Sequence, residues 1–477
     1  MSSVEIGWQD LSELVFRDRV GELLVNTVLL VVLGVPCTVV LGVGAAWLVE
    51  RTALPSRRLF ATLLVVPLTI PAFVASYGWA SVIPSISGLG GGLLVAVLSY
   101  FPLVYLPALA ALRGLDPALE ESARSLGMGT WAVFFRIVLP QLRLAMLGGG
   151  LLVALHLLSE YGAFAFLRFE TFTTAIVVAY QTSFAGPNAA ALGIVLAVLC
   201  CAVLVIEATA RGRLNYARVG SGAPHPVTRL SLGRSAPFVV IALIGLAVAS
   251  AVVPLASVVR WTLAADASSW LPLFESVGDT LLLSVGGAVV ALIVALPAGW
   301  LAARYPSRKA RTLEGAFYVA GSLPAIIVAL ALVTVTLRVL PIAYQTVVTV
   351  IAAYVVIFLP RALVTVRAGI AQIPEGLEEA ARSLGSAPLI AKARVTAPLL
   401  LPSLATGGAL VALGAANELT ATLLLAPTGT QTVATAFWAA ASAVDYPGAA
   451  PYALTLVLLS IPAVGLMLAQ VKARRTS

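Results

Sequence analysis

Few side chains in this sequence are equipped for chemistry, and their settings restrict what that chemistry is. Glu160 and Glu418 each lie inside an otherwise apolar run. A carboxylate within a membrane span is costly, and its default reading is a residue of a pathway or gate; the other reading is a hydrogen-bonded strut between helices or a helix end near the interface. His156 stands one helical turn before Glu160, where the two could pair. The only other histidine is His225, and the three cysteines, Cys37, Cys200 and Cys201, sit in apolar stretches without ligand spacing. Neither a metal centre nor a disulfide framework is expected from these. No Gly-x-x-x-x-Gly-Lys-[Ser/Thr] loop is present, and the glycine cluster Gly88–Gly92 lacks the lysine, so nothing cradles nucleotide phosphates. No serine, histidine and aspartate converge in a nucleophile motif. The chain is expected to have no catalytic, cofactor-binding or metal-binding residue of its own.

The other polar feature occurs twice. Leu119-Glu-Glu-Ser-Ala-Arg-Ser-Leu-Gly127 returns as Leu377-Glu-Glu-Ala-Ala-Arg-Ser-Leu-Gly385, a spacing of 258 (127 to 385), and thirteen residues after each glycine stands a proline, Pro140 and Pro398. Upstream the echo continues at a spacing of 253 (27 to 280): Thr27 with Thr280, Trp47 with Trp300, Pro71-Ala72 with Pro324-Ala325, and Leu106-Pro107 with Leu359-Pro360. Downstream, Glu160 matches Glu418. Asp116-Pro117 reads as a cap and first helical residue, so Ala118–Leu126 is expected to be a short helix stopped by Gly127. Thr130–Val138 then forms a second piece, ending near Pro140. The second copy runs Pro374–Leu384, Gly385, Ala387–Val395 and Pro398. Two short helices bent at a glycine make an L-shaped lever. Ser122, Ala123, Ala380 and Ala381 keep its exposed face small, so that a partner groove approaches closely. Glu121 and Glu379 are placed to pair with a partner base or to lock the turn.

The elements that position these loops follow from composition. Of 477 residues, 60% are hydrophobic and only 10% charged. A soluble domain runs nearer ~45–50% apolar and ~25% charged, so a soluble enzyme, a nucleic-acid reader and a disordered scaffold are excluded. Apolar stretches of about 20 residues give eleven spans. They begin with Val25–Val49, two within Leu59–Leu112, a fourth from about Ala145 to Leu167, and a fifth from about Ala189 to Ile206. Then come Pro237–Val259, Thr280–Ala303, Gly315–Leu337, Ile342–Pro360, Leu400–Leu424 and Tyr452–Leu468. Thr171–Ser183 and Leu425–Phe437 read as outer-face segments or partial re-entries. The net charge of +8 reflects cationic loops rather than nucleic acid. With Glu50–Arg58 inside, the inner loops hold 24 of the 29 lysines and arginines, Arg361 and Arg367 among them. That places the N-terminus outside and the C-terminus inside. Met1–Asn26 lacks the basic and apolar regions of a signal peptide.

Both basic loops lie on one side only if a span separates two odd-numbered repeats, and Pro237–Val259 is that span. The expected fold is therefore an all-α polytopic membrane protein. It has two parallel pseudo-repeats of about five core transmembrane helices plus one extra span, about 11 in total. Its parts are a first half, 1–210, a cytoplasmic linker, 211–235, and a second half, 236–477.

The repeated residues resemble a family signature: Glu-Ala-Ala, three residues, Gly, nine residues, Ile, one residue, Leu-Pro, found in binding-protein-dependent ABC transporter permeases. The first copy is Glu121-Ser122-Ala123, Gly127, Ile137, Leu139-Pro140. The second is Glu379-Ala380-Ala381, Gly385, Val395, Ala397-Pro398. The resemblance implies two fused permease halves in a bacterial cytoplasmic membrane. It implies that each loop is a coupling helix seated on one of two ABC ATPase subunits, which carry the ATP and Mg, and that an extracytoplasmic binding protein delivers the cargo. The stretches Ser159–Phe164, Glu170–Ile176, Asn417–Leu425 and Gly429–Thr432 are similar to those of ferric-iron permeases. Thiamine permeases share the fused layout, and polyamine and phosphonate permeases are relatives. The rivals are a secondary transporter coupled to ions through Glu160 and Glu418, and a non-transporting membrane scaffold or enzyme.

Overall fold

The computed structural model describes residues 18–183, 186–212, 229–266 and 270–473. Most of the expected linker, at 213–228, and most of Met1–Asn26 lie outside these residues. With no water in the bilayer to satisfy backbone groups, an apolar chain must bond to itself, and it does so as helix. Among the described residues there is no named strand, only an isolated bridge between Thr52 and Leu230.

Among the described residues seven helices are long and apolar enough to cross a membrane: Asp18–Arg51, Gly88–Gly114, Asn188–Arg211, Gly233–Leu263, Leu271–Arg304, Val347–Ala371 and Pro388–Ala416. Three sharply bent pairs raise the number to ten. A 28-residue helix, Tyr446–Ala473, follows. By contacts the chain forms two units, one running to Leu263 and including the chain from Ser460, the other Ala264–Leu459.

Each unit has its own 34-residue helix early in its described residues, Asp18–Arg51 and Leu271–Arg304. At ~1.5 Å per residue these reach about 50 Å, well beyond a ~30 Å hydrocarbon core. Near the N-terminal end of each, paired polar residues tie down a later segment. Asn26 Nδ2 donates to Glu170 O at 3.1 Å, and Thr27 Oγ1 accepts from Phe172 N at 3.3 Å. In the second unit Asp279 Oδ2 accepts from Gln431 N at 3.0 Å and Thr280 Oγ1 from Val433 N at 2.8 Å. The segments so held are the helices Phe172–Ser183 and Val433–Ser442.

The next segments are sharply bent, at prolines whose place within spans suggests kinks. Arg57–Thr69 and Ala72–Val82 meet at 95°, and Arg308–Ser322 and Ala325–Val339 at 99°. The cause is the matched pair Pro71 and Pro324. A proline ring drives the preceding residue out of helical geometry, and Ile70 and Leu323 are both extended. The extra span, Gly233–Leu263, packs on the helix after the first bend. A methyl on Gly78 would come within 2.7 Å of Pro254 Cα, and the Ser81 and Ser257 hydroxyls share a hydrogen bond.

Candidate functional site

The repeated loops fold as bent levers. In the first, Asp116 caps the helix Pro117–Ser125, its carboxylate accepting from Ala118 N at 3.0 Å. Gly127 follows at φ +84° and Gly385 of the second copy at +89°, a left-handed conformation that costs an L side chain roughly 1–2 kcal/mol. The second copy's helix is Gly376–Ser383.

After each glycine the chain re-enters helix, and the expected end near the proline is found in the first copy but not in the second. Thr130–Val133 passes through a π-turn, Phe134–Val138, into Leu139–Gln141, and only then bends by 67° into Arg143–Ser159. In the second unit Pro388–Ala416 runs through a π-turn, Lys392–Thr396, and past Pro398 without a break. The wider turn directly ahead of each proline relieves the clash that a proline ring makes with the carbonyl four residues back.

The lever's inward face is not the one expected. Glu121 and Ser122 are exposed, whereas Ala123, expected on the open face, is buried together with Glu120. Glu120 meets Arg51 at 3.0 Å and Arg124 at 3.1 Å, with the Arg51 and Glu120 side chains only 1% and 4% exposed. Arg51 also donates to Leu112 O at 2.9 Å. The end of the first long helix thereby grips the first lever. Trp47, one turn earlier, stacks on Trp131 at 5.8 Å and meets Phe134 edge-on at 5.2 Å.

The second unit uses the matching positions with different chemistry. Arg304, the counterpart of Arg51, donates to Ile373 O at 2.8 Å and pairs with Glu375 at 3.2 Å, an acid 70% exposed. Glu378, the counterpart of Glu120, accepts from Thr396 Oγ1 at 2.5 Å. Trp300 lies under Lys392 at 4.5 Å, where the first unit has Phe134. Glu379 and Ala380 are exposed and Ala381 is half-buried. Both tryptophans thus hold levers.

At the bend of each lever an apolar side chain projects outward: Leu126 is 84% exposed and Leu384 87%. Trp131 and Leu389, another matched pair, are also exposed.

Glu160 and Glu418 are not within continuous spans. The helix Arg143–Ser159 stops at Glu160, which is extended, and the helix ending at Ala416 stops just before Glu418. Each carboxylate then caps the short helix that follows. Glu160 Oε1 accepts from Ala163 N, and Glu418 Oε1 from Ala421 N, both at 3.0 Å. The second Glu160 oxygen accepts from Tyr100 OH at 2.6 Å, and the Tyr100 ring lies 5.2 Å from that of His156. In the second unit Tyr354 OH instead meets Thr422 Oγ1 at 2.7 Å, and Thr422 in turn donates to Glu418 O. Among the described residues no three metal-ligating side chains gather.

The chain matches a known family twice, over residues 15–210 and again over 295–476: the binding-protein-dependent transport system inner membrane component. The chain belongs to this family. It is a multi-pass inner-membrane permease with the family's domain present in two copies. The permease is 35% identical to the Fe(3+)-transport system permease protein FbpB 2 of Haemophilus influenzae over 475 residues, covering 96% of this chain and 92% of that protein. It is 30% identical over 214 residues to the sulfate transport system permease protein CysW of Synechocystis sp., covering 40% of this chain and 76% of that one. It is 34% identical over 139 residues to the molybdenum transport system permease protein ModB of Escherichia coli K12, covering 26% and 60%. These relatives are transport permeases, not enzymes.

Several site residues of the permease are not apparent from the loop motif alone. Arg51 and Arg304 obey the same 253-residue spacing as the tryptophans four positions before them, and that spacing is the signal that marks them. Leu126 and Leu384 belong to the motif itself. Arg361, counted above with the inner loops, lies within the helix Val347–Ala371.

Proposed function

We propose that this permease is the membrane subunit of an ATP-driven importer that works by alternating access. The observation that carries this reading is the duplicated lever: same bend at Gly127 and Gly385, same outward leucine, and in each unit an acidic partner near the lever for the last arginine of the long helix, though the contacts differ. Two ABC ATPase subunits, holding the ATP and Mg, dock on the levers around Glu121, Ser122, Leu126 and Gly127, and around Glu379, Ala380, Ala381, Leu384 and Gly385. Pro140 and Pro398 lie on the rigid stems behind them. Closure of the ATPases on ATP moves the levers and opens the bundle outward, an extracytoplasmic binding protein releases its cargo, and hydrolysis resets the cycle. The levers face the cytoplasm, with the N-terminus outside and the C-terminus inside.

Ferric iron is the cargo best supported, by identity along nearly the whole of an Fe(3+)-transport permease. Glu160 and Glu418, capping the helix breaks within the bundle, are the pathway or gate residues. The test is uptake of ferric iron into vesicles holding the permease, its ATPase and a loaded binding protein. ATP-dependent accumulation is expected. Uptake without the ATPase would replace this reading with an ion-coupled one, and failure with iron but success with sulfate or molybdate would change the cargo.

A further inference from the structure

The two units treat one intramembrane position differently. Arg361 lies fourteen residues into the membrane-span helix Val347–Ala371 and ten from its end, about 21 Å and 15 Å at ~1.5 Å per residue, so it is far from either end of that helix. Its guanidinium stands 5.0 Å over the Phe358 ring and within electrostatic reach of Glu418. It lies flat against Gly414, where an added methyl would collide with Arg361 Nη1 and come within 2.7 Å of Phe358 Cε1.

The first unit has the opposite arrangement. The counterpart of Arg361 (361 less 253) is Ala108, fully buried, and the counterpart of Gly414 (414 less 258) is His156. Each unit therefore sets one basic side chain beside its carboxylate region, but from opposite helices. Only in the second is that base permanently charged, and only there is the facing residue reduced to glycine to make room.

Arg361 is exposed. Among the described residues no hydrogen bond or ion pair reaches its guanidinium, which carries five N–H donors. A charged side chain this far along a membrane-span helix, open and without an acceptor, faces water or a ligand rather than lipid. We propose that Arg361 is an anion-binding residue on the transport route of the second unit, taking a species that presents anionic oxygens. Its source is either a free oxyanion or a metal ion carried with oxygen-anion ligands. This rests on the importer reading above, and it adds that iron passes this point as an anionic complex, since a bare trivalent cation would be repelled by the guanidinium.

Binding is read on the purified full-length permease in lipid nanodiscs, as the shift in thermal unfolding midpoint with ferric citrate, iron-free citrate, sulfate or molybdate as probes. At least one probe should raise the midpoint by several degrees in the wild type and in Arg361→Lys, and by none in Arg361→Gln. Gly414→Ala, which keeps the charge but displaces it, should need at least tenfold more probe for the same shift, and serves if Arg361→Gln does not fold. A shift with ferric citrate alone assigns the metal complex; shifts with sulfate or molybdate assign the free oxyanion. No shift with any probe in the wild type overturns the proposal, as does an undiminished shift in Arg361→Gln. Loss of ATP-driven uptake by the wild type would instead refute the importer reading while leaving this binding measurement valid.

Discussion

Arg51 and Glu120 form a buried ion pair at 3.0 Å that joins the last residue of the first long helix to the first lever. Arg124 approaches the same carboxylate at 3.1 Å, so one acid compensates two cations. Removing one partner of a buried pair leaves the other charge stranded, at a cost of about 3–5 kcal/mol. Glu120→Gln should therefore lower the thermal midpoint and loosen the first lever, and Glu121→Gln, on the exposed face, should leave the midpoint unchanged. Denaturation of the two purified variants side by side checks this. Equal midpoints would show that the pair does not hold the lever.

The outward leucines are expected to matter for docking and not for folding. Leu126→Asp and Leu384→Asp each place a charge on a side chain that is largely open to solvent. Each should reduce co-purification of the ATPase at least tenfold at normal membrane levels. Retained ATPase binding by the double variant would remove these side chains from the interface.

Gly127 and Gly385 require a left-handed backbone. Alanine there should cost roughly 1–2 kcal/mol locally, and Gly127→Pro or Gly385→Pro should abolish transport while the permease stays inserted. Uptake measured against membrane abundance decides the matter; normal uptake by both proline variants would mean that the bend is dispensable.

The levers are held by unlike contacts, so their tryptophans should respond differently. Trp47 packs in an aromatic cluster with Trp131 and Phe134, whereas Trp300 mainly receives Lys392. Trp47→Ala should cost about 3–5 kcal/mol. Trp300→Phe, which keeps a ring face for the ammonium, should cost less than about 1 kcal/mol. Thermal midpoints of the two variants test the ordering.

Glu160 and Glu418 cap short helices. Glu160→Gln keeps an oxygen for Ala163 N, so it should retain most ATP-driven uptake, while Glu160→Ala loses both the cap and the partner of Tyr100, at about 1–2 kcal/mol. Complete loss of uptake in Glu160→Gln with an intact fold would favour proton or ion coupling through the carboxylate.

Much of this was legible in advance because the levers are polar, local and duplicated. Asp116 capping Ala118, and the positive φ at both glycines, are short-range consequences of the residues that carry them. The orientation of the lever was not legible. In a nine-residue helix with few apolar residues, spacing alone does not say which face meets the bundle, and here the usual pattern is reversed: Leu119 and Leu126 point outward while Glu120 and Ala123 are buried. The burial of Glu120 depends on Arg51, which is distant along the chain. Pro398 misled for a related reason, since it follows a π-turn that sequence periodicity does not reveal and the helix runs on past it.

Composition and internal repetition by themselves determined that the chain is a helical membrane protein of two like halves bearing two like loops, because apolar runs in lipid leave the backbone no alternative to helix and because a repeated stretch repeats its local hydrogen bonds. Tertiary structure alone decided which carboxylate anchors the first lever, where helices break at Glu160 and before Glu418, and that Arg361 faces Gly414 rather than a cytoplasmic loop. Those outcomes depend on pairs of residues far apart in sequence, and only folding brings their side chains within a few ångströms.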